Sequence, residues 1–135
     1  MLLALHAAVT WALVGLIWTI QVVHYPLFDA VDAERFAVFH ARHARRISLL
    51  VGVLMPVEAG LAVWLAWTQP SLATWLGVGL VAAIWLATAL LAVPRHAELA
   101  DGYDAVAHRR LVTTNWVRTV LWSARGVLAL LLLIA

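Results

Sequence analysis

LATWLGVGLVAAIWLATALLAV, residues 72–93, holds no charged side chain and only two hydroxyls in 22 positions. As a helix it is about 33 Å long, enough for a hydrocarbon core of about 30 Å, which needs roughly 20 apolar residues. Nothing along it offers a soluble domain a polar face. Working outward, the short turn Gln69-Pro70-Ser71 separates it from a second apolar run, Ile47 to Thr68, and a charged connector separates it from a third, Leu111 to Ile134. A fourth run, Leu2 to Val23, lacks the basic start and small-residue cleavage site of a signal peptide and carries Trp11, Trp18 and Gln21, so it reads as a span. Lipid gives backbone groups no outside partner, so the spans must be helical. The expected fold is an all-α integral membrane four-helix bundle, one domain over 1–135, with connectors 24–46 and 94–110.

Composition agrees with this class. The 135 residues are 65% hydrophobic with a mean hydropathy of +0.95, more apolar surface than so short a chain could bury in water. There is no cysteine, which excludes disulfides, thiolate metal sites and thiol nucleophiles. All nine basic residues are Arg, gathered in local clusters, so the net charge of +2 gives no reason to expect nucleic-acid binding.

Those clusters set an expected orientation. Connector 24–46 holds Arg35, Arg42, Arg45 and Arg46, and connector 94–110 holds Arg95, Arg109 and Arg110, against none in the Gln69–Ser71 turn or the two tails. Basic loops stay cytoplasmic, which predicts a cytoplasmic-membrane protein with both connectors inside and both termini outside. Trp64, Trp67 and Trp75 would then mark the outer interface. Pro26, Pro70 and Pro94 are expected to end spans, and Pro56 to bend the second. The connectors end in His43-Ala44-Arg45-Arg46 and His108-Arg109-Arg110, a likeness that suggests two parallel-repeated hairpins. Arg collecting at any helical hairpin's membrane boundary would explain it equally well.

The polar residues within the spans carry the functional reading. In the fourth span Leu111, Arg118 and Arg125 recur every seven residues, as do His108, Asn115 and Trp122. At 100° per residue these six share about a third of the helix, expected to face the bundle interior. Arg118 at a boundary can snorkel, whereas Arg125 lies deep, where an Arg costs a few kcal/mol and needs a partner. Glu58 is the only acidic residue inside a span and lies at a similar depth, so it is expected to pair with Arg125 or with both Arg residues. A bridge that only fixes helix register is the alternative.

Histidine is the second clue. His24, His40, His43, His96 and His108 lie at the connector side, and only His6 at the other. A connector helix starting near Asp32 would place His40 and His43 on one face with Phe36, Phe39 and Ile47, pointing inward. Neutral imidazoles suit copper, iron or zinc, and two axial His suit haem, so His24, His40, His43, His96 and His108 are candidate metal ligands. A metal-free pocket for an organic ligand and a structural cap remain open beside this. Asn115 and Trp122 join His40, His43, His96 and His108 as candidate cofactor-contacting residues. His24, Glu58, Arg118 and Arg125 are the candidate catalytic groups, His24 as acid, base or ligand and the Arg pair steadying an oxyanion or carboxylate. Asp104 is expected to cap a helix or orient a histidine, and Gly15, Gly52, Gly60, Gly77 and Gly79 to permit close helix approach.

Tyr25-Pro26 after the first span, Pro94 closing the third, and Trp116 and Trp122-x-x-Arg125 in the fourth resemble the anthrone-oxygenase-like group of small four-helix membrane proteins. The resemblance covers the layout of most of the chain. It implies oxygenation of an aromatic polyketide-like substrate without a required metal, in a site shaped by Trp and polar residues of the bundle. The abundance of His, and His40-x-x-His43, depart from that pattern. Two functions are therefore expected. One is a small membrane oxidoreductase or oxygenase acting on a hydrophobic molecule that enters from the bilayer. The other is a non-enzymatic module or assembly subunit, homo-oligomeric or partnered, whose His and Arg residues hold lipid headgroups, ions or a partner.

Overall fold

A computed structural model describes all residues 1–135, and every long element is a helix. Helix α1 (Leu2–Thr19) runs into a π turn (Ile20–His24) and a 3-10 turn (Pro26–Ala30); α2 covers Ala33–Thr68. Helix α3 (Leu72–Ala87) runs through a second π turn (Thr88–Ala92) into α4 (Val93–Glu98), and α5 covers Ala105–Ile134. Helix α1 packs on α2 and α5, and α3 packs on α2 and α5, so the bundle closes in the order α1, α2, α3, α5 with its most extensive contact between α1 and α5. Four helical stretches are long and apolar enough to cross a membrane. Their outward faces leave large apolar side chains exposed on every helix, including Val53, Leu76, Leu86 and Val120, as lipid as solvent requires.

Local chemistry explains the boundaries. Ser71 caps α3 in a capping box, its Oγ accepting from the Thr74 amide while the Ser71 amide donates to the Thr74 hydroxyl. The Asp104 carboxylate accepts from the Ala107 amide at 2.6 Å, so this residue caps α5. Gly102, at φ 155°, makes the turn before it. Asp32 starts α2, which carries connector and span as one helix, with no side-chain cap bond.

Pro94 does not close its helix: the chain continues helically to Glu98. The preceding π turn is the reason. Proline removes an amide donor and crowds the turn behind it, and the wider π turn, closed by Val93 N–H to Thr88 O, absorbs that fault. The first span repeats the device, with Tyr25 N–H bonded to Ile20 O and Pro26 placed two residues beyond the π turn, as Pro94 is. Helix α2 passes through Pro56 without a break in its helical assignment.

Small residues set helix separation at two points. A methyl group on Gly126 would lie 2.9 Å from Val14 Cγ2 and 3.4 Å from the Trp11 ring, so side chains of α1 pack directly on the α5 backbone there. A methyl on Gly77 would lie 2.9 Å from Arg125 Nη1, so α3 leaves that space to a guanidinium.

Candidate functional site

The buried face of α5 includes His108, Leu111, Asn115, Arg118, Trp122 and Arg125, the whole of the seven-residue pattern. The polar residues among them belong to two layers, separated by an apolar one built from Leu13, Val14, Ile17, Met55, Ile84 and Trp122.

The deeper layer joins α1, α2 and α5. Glu58 Oε1 accepts from Arg125 Nε at 2.8 Å and from the Thr10 hydroxyl at 3.2 Å, and stands 2.8 Å from Arg125 Nη2 in the ion pair. Arg125 Nη2 also donates to His6 Nε2, which stands 3.5 Å from Glu58 Oε1. In accepting from Arg125, His6 Nε2 carries no hydrogen. Glu58 and His6 are 0% exposed and Arg125 1%. An unpaired charge at this depth would cost several kcal/mol, and the ion pair with its extra donors offsets that cost. Glu58 Oε2, His6 Nδ1 and Arg125 Nη1 have no partner. The expected Glu58–Arg125 pair thus forms, but Arg118 stands in the other layer.

The second layer lies at the connector end. Gln21 donates from Nε2 to Val112 O at 3.2 Å and accepts at Oε1 from Asn115 Nδ2 at 2.8 Å; Asn115 Oδ1 accepts from Arg118 Nη1 at 3.0 Å. Beyond these residues the imidazoles gather. His24 Nε2 and His43 Nδ1 are 2.6 Å apart, His40 Nε2 and His96 Nδ1 are 3.0 Å apart, and the Tyr25 hydroxyl is 2.8 Å from His96 Nε2. Phe28, fully buried, packs edge-on against His24, His40 and His43. His108 stands aside, with Nε2 donating to the Tyr25 carbonyl at 2.8 Å and Nδ1 accepting from Tyr103 at 3.1 Å.

These contacts bear on the metal and haem expectations. Bonds of about 2.0–2.1 Å to one tetrahedral ion hold ligand nitrogens roughly 3.3 Å apart with lone pairs converging. Here the nitrogens of the 2.6 and 3.0 Å pairs face one another as donor and acceptor, and both His108 nitrogens are engaged. No group of three or more His, Asp or Glu side chains is arranged to hold an ion. Stacked rings with centroids 5.2 Å apart for His40 and His96, and 5.7 Å for His43 and His96, leave no slot for a macrocycle between them.

Two clefts flank the cluster. One, of about 190 Å³, is walled by Ile20, Ile47, Val51 and Val93 and carries Tyr25, His96 and Arg118 as its main polar groups. The other, of about 470 Å³, lies between α1 and α2 beside His24, Arg42, His43 and Arg46. His96 lies beyond the apolar run that ends at Val93. Burial first, then its neighbours His40, His43 and Arg118, push it down to about 3. Burial, then His24 and His40, push His43 down to about 4. Burial also lowers His40 and His24. The cluster is therefore neutral at pH 7, and each ring can donate at one nitrogen and accept at the other.

Of the residues singled out from sequence, His24, His40, His43, His96, Asn115 and Arg118 come together at the connector end, with His108 beside them. Glu58 and Arg125 lie in the deeper layer, and Trp122 helps separate the two. His6, Thr10, Gln21 and Tyr25 are parts of the network that sequence reasoning did not assign to it. The first three fall within about 60° of one another at 100° per residue along α1 and the π turn that continues it, a polar stripe like the one recognised on α5.

Four membrane-length helices closed around a buried His, Arg and Glu network define a four-helix membrane protein. Comparison with family models, characterised proteins and solved structures finds no match for the chain.

Proposed function

We propose that the protein takes a small hydrophobic molecule bearing an acidic hydroxyl, such as a phenol or enol, into the cleft of Tyr25, His96 and Arg118 and removes its proton. The observation that carries this reading is the convergence of those three groups in a mostly apolar cleft, whose other polar side chains are the hydroxyls of Ser48 and Thr88, with Tyr25, His96 and His40 in one hydrogen-bonded line. Apolar walls with a few convergent polar groups are the usual form of a ligand site. At about 190 Å³ the cleft suits one or two fused rings rather than the roughly 300–1,000 Å³ of drug-sized sites.

The roles follow from charge. Arg118 stabilises an oxyanion in a site of low dielectric constant, where such help is strongest. A base held as low as His96 does not store a proton at neutral pH. It relays one, accepting at Nε2 from Tyr25, which takes the substrate proton, while giving from Nδ1 to His40, whose other nitrogen releases a proton to water at the connector end. Removing the proton from a phenol or enol raises the electron density of its carbon skeleton, which is what direct reaction with dioxygen requires. That step fits the metal-free oxygenation implied by the resemblance to anthrone-oxygenase-like proteins. The deeper Glu58–Arg125 layer then serves to fix helix register.

Oxygen uptake by protein in lipid nanodiscs, with 1-naphthol and 1,5-dihydroxynaphthalene offered in turn, tests the reading. Uptake is expected to fall at least about 100-fold in Tyr25→Phe and His96→Phe, the range of general acid–base contributions. Uptake equal in wild type and both variants would remove the oxidative half of the proposal.

A further inference from the structure

We propose that the cleft between α1 and α2 binds the phosphodiester of an anionic membrane lipid, with an acyl chain lying along Leu16, Ile20, Ile47 and Leu50. Arg42 and Arg46 stand one helical turn apart on α2, so both guanidinium groups serve the same rim. Neither forms an ion pair with a carboxylate, and no acidic side chain lines the cleft. Between them His43, only 8% exposed, forms part of the wall, and its Nε2 has no hydrogen-bond partner.

That orphan nitrogen is what distinguishes the cleft from an ordinary basic helix surface. His24 Nε2 lies 2.6 Å from His43 Nδ1. With His24 as donor, the hydrogen of neutral His43 sits on Nε2, a buried and unpartnered donor of a residue that walls the cleft. A buried imidazole donor between two unpaired guanidinium groups suits an oxygen-rich monoanion, since guanidinium pairs with phosphate through two parallel bonds. Apart from Thr19 and His24, the rest of the wall is apolar, as an acyl chain needs and a soluble anion does not. At about 470 Å³ the cleft takes a phosphate and the first part of a chain. Arg42 and Arg46 end the connector where the apolar run beginning at Ile47 starts, the level at which lipid phosphates lie.

The test uses the full chain in neutral detergent, with lipid retention measured by native mass spectrometry and stability by thermal unfolding. Phosphatidylglycerol, phosphatidylcholine and millimolar inorganic phosphate are the three probes. Arg42→Gln with Arg46→Gln removes the rim, and Arg109→Gln with Arg110→Gln removes equal charge from the other connector. All four side chains lie on the surface, so both variants keep the packed interior. Phosphatidylglycerol is expected to be retained over phosphatidylcholine and to raise the unfolding temperature, with the Arg42/Arg46 variant losing about tenfold or more in affinity and the Arg109/Arg110 variant unchanged. Equal loss in both variants means diffuse charge attraction and overturns the site. So does phosphatidylglycerol binding that survives the Arg42/Arg46 change. Stabilisation by inorganic phosphate alone would assign the cleft to a soluble phosphate and overturn the lipid. The readout is lipid on the protein, so it does not depend on the chemistry of the Tyr25 cleft.

Discussion

Gly77→Ala tests the deeper polar layer, because helix propensity and the structure predict opposite signs. In a helix interior the change ordinarily stabilises by up to about 1 kcal/mol. Here the added carbon would lie 2.9 Å from Arg125 Nη1 and 3.4 Å from Cζ. Ordinary contact is nearer 3.5 Å, so the guanidinium must withdraw by roughly 0.5 Å. It is not free to do so, since Nε donates to Glu58 Oε1 at 2.8 Å, Nη2 donates to His6, and Nη2 stands 2.8 Å from the same carboxylate oxygen. Withdrawal by that amount forfeits most of one charged hydrogen bond, worth about 1.5–3 kcal/mol. Subtracting the full propensity gain leaves a net destabilisation of about 0.5–2 kcal/mol. The same substitution in an Arg125→Met background meets a flexible apolar chain and should be neutral or stabilising, so the double-mutant cycle shows a coupling of about 2 kcal/mol. Reversible unfolding in mixed micelles measures all four proteins. A stabilising Gly77→Ala in the wild-type background, equal to that in Arg125→Met, would refute the pinned guanidinium.

Other outcomes follow from the same geometry. Removing one member of the buried pair, as in Arg125→Met, leaves Glu58 buried without its countercharge and should cost about 3–5 kcal/mol, while Glu58→Gln with Arg125→Met should recover part of that in the same unfolding assay. Gly126→Ala drives a methyl to 2.9 Å from Val14 Cγ2 and should cost about 1–3 kcal/mol, with Val14→Ala restoring much of it. Stability should also depend on pH. The native state keeps His43 at about 4 and His96 at about 3, against 6.5 unfolded, so the unfolded chain binds protons first. Stability is then greatest above about pH 6.5 and falls as pH drops toward the folded values; His96→Phe should flatten that slope, as thermal unfolding from pH 7.5 to 4.5 would show.

The four helices were legible because apolar length is a one-dimensional property, and runs such as 72–93 have no reading in water. The inward face of α5 was legible for a similar reason, since the spacing of His108, Asn115, Trp122 and of Leu111, Arg118, Arg125 is set by helix pitch alone. Glu58 could be matched to Arg125 because depth is counted along each helix. The division into two layers was not legible in that way. Arg118 and Arg125 share a face but are two turns apart, about 10 Å along the axis, and only the packing shows Trp122 and Ile84 filling the gap. Pro94 misled because proline ends most helices, whereas here a π turn lets the helix run on. His6 was set apart as the histidine at the wrong end, though the stripe it shares with Thr10 and Gln21 marks it as interior. The histidine cluster was found by counting, but whether its nitrogens converge on one point or pair with each other depends on ring orientation, which spacing does not encode.

The most direct test of the proposed chemistry is the absorption spectrum of 1-naphthol bound to the detergent-purified protein at pH 7. Deprotonation in the Tyr25, His96 and Arg118 cleft predicts the naphtholate spectrum, well below the pH at which naphthol ionises in water. Arg118→Met should return the bound spectrum to that of the neutral phenol, and unsubstituted naphthalene should bind more weakly. Naphthol bound only in its neutral form, or no tighter than naphthalene, would contradict the account.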